Sequence, residues 1–303
     1  MLTDAEVPPV WQGLGLPGLL DVHVHFLPEP VMRKVWAYFD DASHYGVQWP
    51  ITYRTSEDDR LARLRALGVR RFPALVYPHK PGMAAWLNDW AAGFAAQVPE
   101  VWPTFTFYPE EGVERYVVAA LDAGARIGKA HLQVGSYDPR EPVLQPVWGL
   151  LAESGVPVVV HCASGPVGGP YTGPGPFGEV LADHPRLTAV IAHLGMPEYA
   201  EFFALAARYP NVHLDTTMAF TEFTERRSPF PADLRPRLVD LADRICFGSD
   251  FPNIPHTYAH QIEVLQRLDL GDDWLRRVLW GNTARLLDVD FGGTTEQGDQ
   301  KYA

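Results

Sequence analysis

The chain of 303 residues predicts a (β/α)8 barrel, an α/β fold, with extended βα loops at the C-terminal face of its strands. Three observations predict it. Short apolar, β-rich runs recur eight times, stretches of helical periodicity separate them, and polar residues able to bind a metal stand at the ends of several runs. Parallel strands need crossover helices, and eight such units close a sheet on itself. An open doubly wound sheet is the alternative that the same alternation allows.

The first run is "LLDVHVHF", Leu19 to Phe26. The others are Val69 to Pro78, Val101 to Pro109, Arg126 to Val134, Val156 to Ala163, Leu187 to Gly195, Asn211 to Thr217 and Arg244 to Asp250. Several, such as "VPVVVHCA", are almost continuously apolar, as suits parallel strands covered on both faces. The stretches between them, among them "SEDDRLARLRALG" and "PEYAEFFALAARYP", place apolar residues at three- and four-residue steps and stop at glycine or proline. One domain over 1–303 is expected, with its barrel at about 19–288 and the polar tail 291–303 disordered.

Three connections are long, and all follow strand C-termini, where barrel enzymes build their sites. Leu27 to Thr55 carries Trp36, Tyr38, Phe39, Tyr45 and Trp49. "SGPVGGPYTGPGPFG" follows the fifth strand, its prolines favouring a stiff rim over a mobile lid, and "MAFTEFTERRSPFP" follows the seventh.

Hydrophobic residues at 47% and aromatics at 12% supply a large core, and 20% charged residues are too few for a disordered chain. With 25 basic and 37 acidic residues the formal charge is −12, and no basic block relieves it, so a nucleic-acid partner is not expected. Cys162 and Cys246 lie in apolar runs and read as free thiols of a cytoplasmic protein. No apolar run reaches membrane-spanning length, so no membrane partner is expected; a homodimer is allowed.

The chemistry stands at the strand ends. His23 and His25 point to one side of their strand because side chains alternate. His161 ends the fifth run, His193 the sixth and Asp250 the eighth. A barrel brings these ends to one mouth, where neutral imidazoles and a carboxylate suit Zn2+ or a similar first-row ion. Taken singly, each histidine reads equally as a hydrogen-bonded core residue.

The motifs "DVHVHFLP", "VPVVVHC", "IAHLGMPEY", "CFGSDFP" and "WGNTARLL" resemble, in order, those of the amidohydrolase superfamily, in its amidohydrolase-related branch of decarboxylases and lactonases. The resemblance runs from about Leu20 to the closing helix. It implies His23, His25, His161 and Asp250 as ligands of about one divalent ion per chain, Zn2+ by preference. It also implies catalytic roles for Asp250 as proton shuttle and His193 beside the substrate oxygen. In relatives with two metals a strand-four lysine bridges the ions; "GKAHLQ" offers Lys129 and His131, although the branch generally works with one.

Lys129, His131, Arg226 and His256 are expected to contact substrate, with Arg227 and His79 as further candidates. His213 shares a face with Asp215 and reads as a group that hydrogen-bonds a metal ligand or as half of a core pair; His44 and His260 lie on connections or helix starts. The leading expectation is hydrolysis of an amide, ester or lactone of a small organic acid or ring compound. Non-oxidative decarboxylation with the same metal site, and a non-catalytic binding barrel, are the alternatives.

Overall fold

The structure, a computed structural model, describes residues 1–41 and 46–289. His44, Tyr45 and the tail from Asp290 lie outside the described residues.

All eight runs contribute strands: β1 Leu19–Leu20, β2 Val69–Pro73, β3 Val101–Trp102, β4 Thr104–Thr106, β5 Ile127–His131, β6 Val158–His161, β7 Ala189–Ile191, β8 Val212–Asp215 and β9 Ile245–Cys246. β3 and β4 are one expected strand divided at Pro103, which has no N–H to give the ladder. Its carbonyl still accepts from Arg126 N at 2.8 Å, so the rung to the next strand survives.

Every pairing is parallel, in ladders β1-β2-β3 and β4-β5-β6-β7-β8-β9. The sheet closes where β1 and β9 run on. Val22 N donates to Phe247 O at 3.0 Å, Asp250 N to His23 O at 2.8 Å and His25 N to Phe251 O at 2.7 Å, around a bridge between Val24 and Phe251. The fold is thus a TIM barrel. The first strand is shorter than its apolar run because Asp21 Oδ1 takes His23 N at 3.0 Å and bends the chain out of regular pairing.

Helices cover the strands. In Glu57–Leu67 the Ser56 hydroxyl accepts from Asp59 N, and Gly68, at φ 84°, ends the helix in the left-handed region. A Cβ at Gly68 would lie 2.5 Å from Trp11 Nε1 of the N-terminal helix Val7–Gly13, so that position also permits close packing. Val158, Val159 and Val160 are fully buried, as the continuous run requires. Cys162 and Cys246 are buried free thiols, and burial pushes Cys246 up to about 12.

The long connections form the mouth. The first folds as helix Glu29–Asp40, held to the last strand's loop by Trp36 Nε1 to Asn253 Oδ1 (3.0 Å) and Trp49 Nε1 to Asn253 O (2.8 Å). The fifth is tied by Ser164 N to Glu198 Oε2 (3.0 Å) and Gly173 N to Cys162 O (2.7 Å). The seventh is anchored by Met218 N to Gln261 Oε1 (2.9 Å) and by Glu222, which pairs with His260 and with Arg267 at 3.0 Å. His260 therefore braces a loop. Among the described residues no helix is long and apolar enough to cross a membrane.

Candidate metal centre and active site

Six aromatic rings form a closed collar at the C-terminal ends of the strands. His23 meets His25 at 5.1 Å between centroids, His25 meets Tyr77 at 5.3 Å, and Tyr77 meets His131 at 5.1 Å. His131 stacks on His161 at 4.1 Å, His161 meets His193 at 4.8 Å, and His193 returns to His23 at 5.4 Å. Asp250 stands against the first two, its Oδ1 3.0 Å from His25 Nε2 and 3.7 Å from His23 Nε2. The ligand atoms of His23, His25 and Asp250 lie within 4.8 Å of one another.

Hydrogen bonds at the far side of each ring set its proton. His25 Nδ1 lies 2.8 Å from the carbonyl of Leu75, which can only accept, so Nδ1 carries the hydrogen and Nε2 faces Asp250 with a lone pair. His23 Nδ1 lies 2.9 Å from Asp215 Oδ2, with the same consequence. Burial and the nearby Lys129 push His23 down to about 3, so it is neutral. Two lone pairs and a carboxylate oxygen converge, and that donor set fits a divalent cation.

Asp215, fully buried, organises the floor. Its Oδ1 accepts from His193 N at 2.9 Å and Thr217 N at 3.0 Å while Oδ2 holds His23. Burial alone would raise its carboxyl, but His23 beside it prevails and lowers it to about 2. Asp21 supports the same strand end, accepting from Ser249 N at 3.1 Å and Tyr258 OH at 3.0 Å, and burial pushes its carboxyl up to about 7. Gly248 is required by closeness: a Cβ there would lie 2.3 Å from Thr217 Oγ1 and 2.9 Å from His23 Cβ.

His161 is outside the group of three. Its Nε2 gives a hydrogen to Gly165 O at 2.8 Å and its Nδ1 lone pair faces His193 Nε2 at 3.2 Å. His193 Nδ1 donates to Thr217 O at 3.1 Å, so its Nε2 also presents a lone pair. Both rings are driven toward neutrality by burial, and two acceptors facing each other need a shared proton or cation. His193 and Asp250 both occupy left-handed backbone, at φ 56° and 65°, a costly conformation of the kind that gathers at functional sites.

A cavity of about 790 Å3 opens over the collar. His131 lines it as expected, its Nδ1 accepting from Val134 N at 3.3 Å, which leaves Nε2–H as a donor. Three residues expected to contact substrate stand outside the cavity lining. Lys129 does not line the cavity: it is fully buried beneath the collar, Nζ 3.1 Å from His23 Nε2, and burial lowers it to about 8. Arg226 is exposed outside the cavity while its neighbour Arg227 lines it, because the loop turns between them. His256 faces His260 and accepts no place on the wall, whereas His79 does. Of the two readings of His213, the core pair with Asp215 is not formed, since Asp215 serves the site and His213 Nδ1 has no hydrogen-bond partner among the described residues.

Tyr77 and the organising role of Asp215 were not anticipated. Tyr77 ends the second run in "ALVYP" at the same level as the histidines, so the strand-end rule applied to every polar side chain would have found it.

The Amidohydrolase family model matches residues 20–289. Among solved structures, an uncharacterized TIM-barrel protein of Bordetella bronchiseptica superposes with a TM-score of 0.72 at 22% identity, covering 89% of this chain and 98% of its own. A candidate 2-pyrone-4,6-dicarboxylic acid hydrolase of Pseudomonas putida gives 0.59 at 18% identity, covering 90% and 98%. A dihydroxybenzoic acid decarboxylase of a Polaromonas species, with bound manganese and the inhibitor 2-nitroresorcinol, gives 0.62 at 16% identity, covering 90% and 97%. No curated protein matches the sequence.

Proposed function

This chain belongs to the amidohydrolase family, and from that premise we propose that it is a metal-dependent hydrolase that opens an amide, ester or lactone bond of a small organic acid or ring compound. The observation that carries the proposal is the convergence of His23 Nε2, His25 Nε2 and Asp250 Oδ1, each free of a proton. With His161 Nδ1, left open because Nε2 gives its hydrogen to Gly165 O, they make a set of four ligands for one ion, Zn2+ or another first-row metal. Such an ion supplies Lewis acidity, polarising a carbonyl and making water acidic enough to attack at neutral pH.

The residues supply the rest. Asp250, whose carboxyl stays well below its ordinary range although burial alone would raise it, takes the proton of the attacking water and returns it to the leaving group. His193 receives a proton on Nε2, the nitrogen that Thr217 leaves open, and in that form donates to the developing oxyanion. Tyr77 and His131 Nε2–H are donors across the collar that orient the substrate.

The test combines metal analysis with isotope tracing. The purified protein is expected to hold about one ion per chain by the four-ligand rule, and its product to carry one solvent 18O. Full metal occupancy after replacing both His23 and His25 by alanine refutes the site. Release of CO2 without solvent oxygen in the product refutes hydrolysis in favour of decarboxylation.

A further inference from the structure

The cavity is large for a compact ring acid, lying in the upper part of the range of about 300–1,000 Å3 that holds drug-sized ligands. Its wall changes with depth. Above the collar lies a buried apolar belt that includes Trp49, Met83, Met196 and Met218. At the rim stand Trp86, 48% exposed, and Tyr38, 45% exposed.

The rim also inverts the charge of the molecule. In a chain of formal charge −12, Lys34, Lys80 and Arg227 line the cavity, and Asp250 is the one acid among its described lining residues. None of the three cations has an ion-pair partner among the described residues. Lys34 and Lys80 come from separate elements yet act on the same side chain, since after burial they are what lowers His79. Lys34 shares a helix face with Val31, Val35 and Tyr38, at steps of three and four residues, and all four line the cavity.

We propose that the substrate is an organic anion with a long apolar body: its charged group is held at the rim by Lys34 and Lys80, and its aryl or acyl portion fills the belt between the rim and the imidazole collar. This rests on the hydrolase reading of the same site for the position of the reacting end, but the rim binds on its own. The anion is therefore remote from the bond that breaks.

The test is calorimetric binding of 4-phenylbutyrate, its uncharged amide 4-phenylbutanamide, and succinate to the full chain. The acid binds about tenfold more tightly than the amide, the scale of two exposed ion pairs, and more tightly than succinate. Lys34→Glu with Lys80→Glu abolishes the preference for acid over amide, whereas Arg226→Glu, the same change of charge per site at an exposed residue outside the cavity, leaves most of it. Trp86→Ala weakens acid and amide together. The same preference is measured in the His23→Ala/His25→Ala protein, where loss of the metal leaves it intact, so failure of the metal site and failure of the rim are told apart. Equal binding of acid and amide, tighter binding of succinate, or an equal loss in Arg226→Glu overturns the proposal.

Discussion

Replacing Asp215 by asparagine tests whether the metal centre is set from below. Asp215 Oδ1 is pinned by two backbone donors, His193 N at 2.9 Å and Thr217 N at 3.0 Å, while Oδ2 alone receives His23 Nδ1 at 2.9 Å. In the variant the amide oxygen stays with the two backbone donors, so the NH2 group is turned toward His23 Nδ1–H. Two donors then oppose each other. The imidazole escapes by moving its hydrogen to Nε2, which removes the lone pair aimed at Asp250 and the ion. Loss of such an outer partner costs about 10–100-fold in metal affinity, or about 1.4–2.8 kcal/mol. The upper end is expected here because the tautomer itself is reversed. Titration against a chromogenic chelator measures the affinity, and a thermal melt of the metal-free protein checks that the fold persists, since both backbone donors keep an acceptor. Affinity within about twofold of the parent protein would show that His23 keeps its tautomer without Asp215, and would refute the reasoning.

His193→Asn is expected to keep the ion and to lower kcat by about 10²-fold or more, the scale for one positioned proton donor; loss of metal on purification would make His193 a ligand. Gly248→Ala forces a methyl to 2.3 Å from Thr217 Oγ1 and 2.9 Å from His23 Cβ, so denaturant unfolding should show a loss of about 1–3 kcal/mol together with weaker metal binding. Burial, with Arg244 and Arg285 nearby, lowers His213 from 6.5 to about 4. Between those pH values the unfolded chain binds a proton that the folded chain refuses, so stability falls as pH falls through the window. His213→Gln should flatten urea-unfolding free energies between pH 7 and pH 5 by about 1–2 kcal/mol, and an unchanged slope counts against the assignment.

The barrel was legible because its strands announce themselves. Runs such as "VPVVVHCA" bury both faces, and the crossover helices between them carry their own periodicity and stops. The ring of histidines was legible for the same reason, since each closes a run. The loop residues were not. Whether Arg226 or Arg227 faces the cavity depends on a turn held by Thr224 and by Glu222 reaching His260 and Arg267, contacts between residues far apart in the chain. Periodicity carries no record of such contacts.

Depth along the barrel was the subtler loss. Two residues on one strand share a face but differ by about 6–7 Å along it, at roughly 3.3 Å per residue. Lys129 and His131 are such a pair: the histidine reaches the collar, and the lysine, one layer lower, meets His23 from beneath. His213 and Asp215 repeat the pattern on β8, with the carboxylate at the level of the metal ligands and the imidazole below it beside Arg244 and Arg285. Alternation reports face alone. Depth follows from where each strand's pairing begins, and this depends on partners elsewhere in the sequence: His131 stands level with His161 because Gly128 pairs with Val158, and Asp215 reaches His193 because Ala189 pairs with Val212. A substitution that slipped one of these registers by two residues would keep every side chain on its face and still exchange Lys129 for His131, or Asp215 for His213, at the centre.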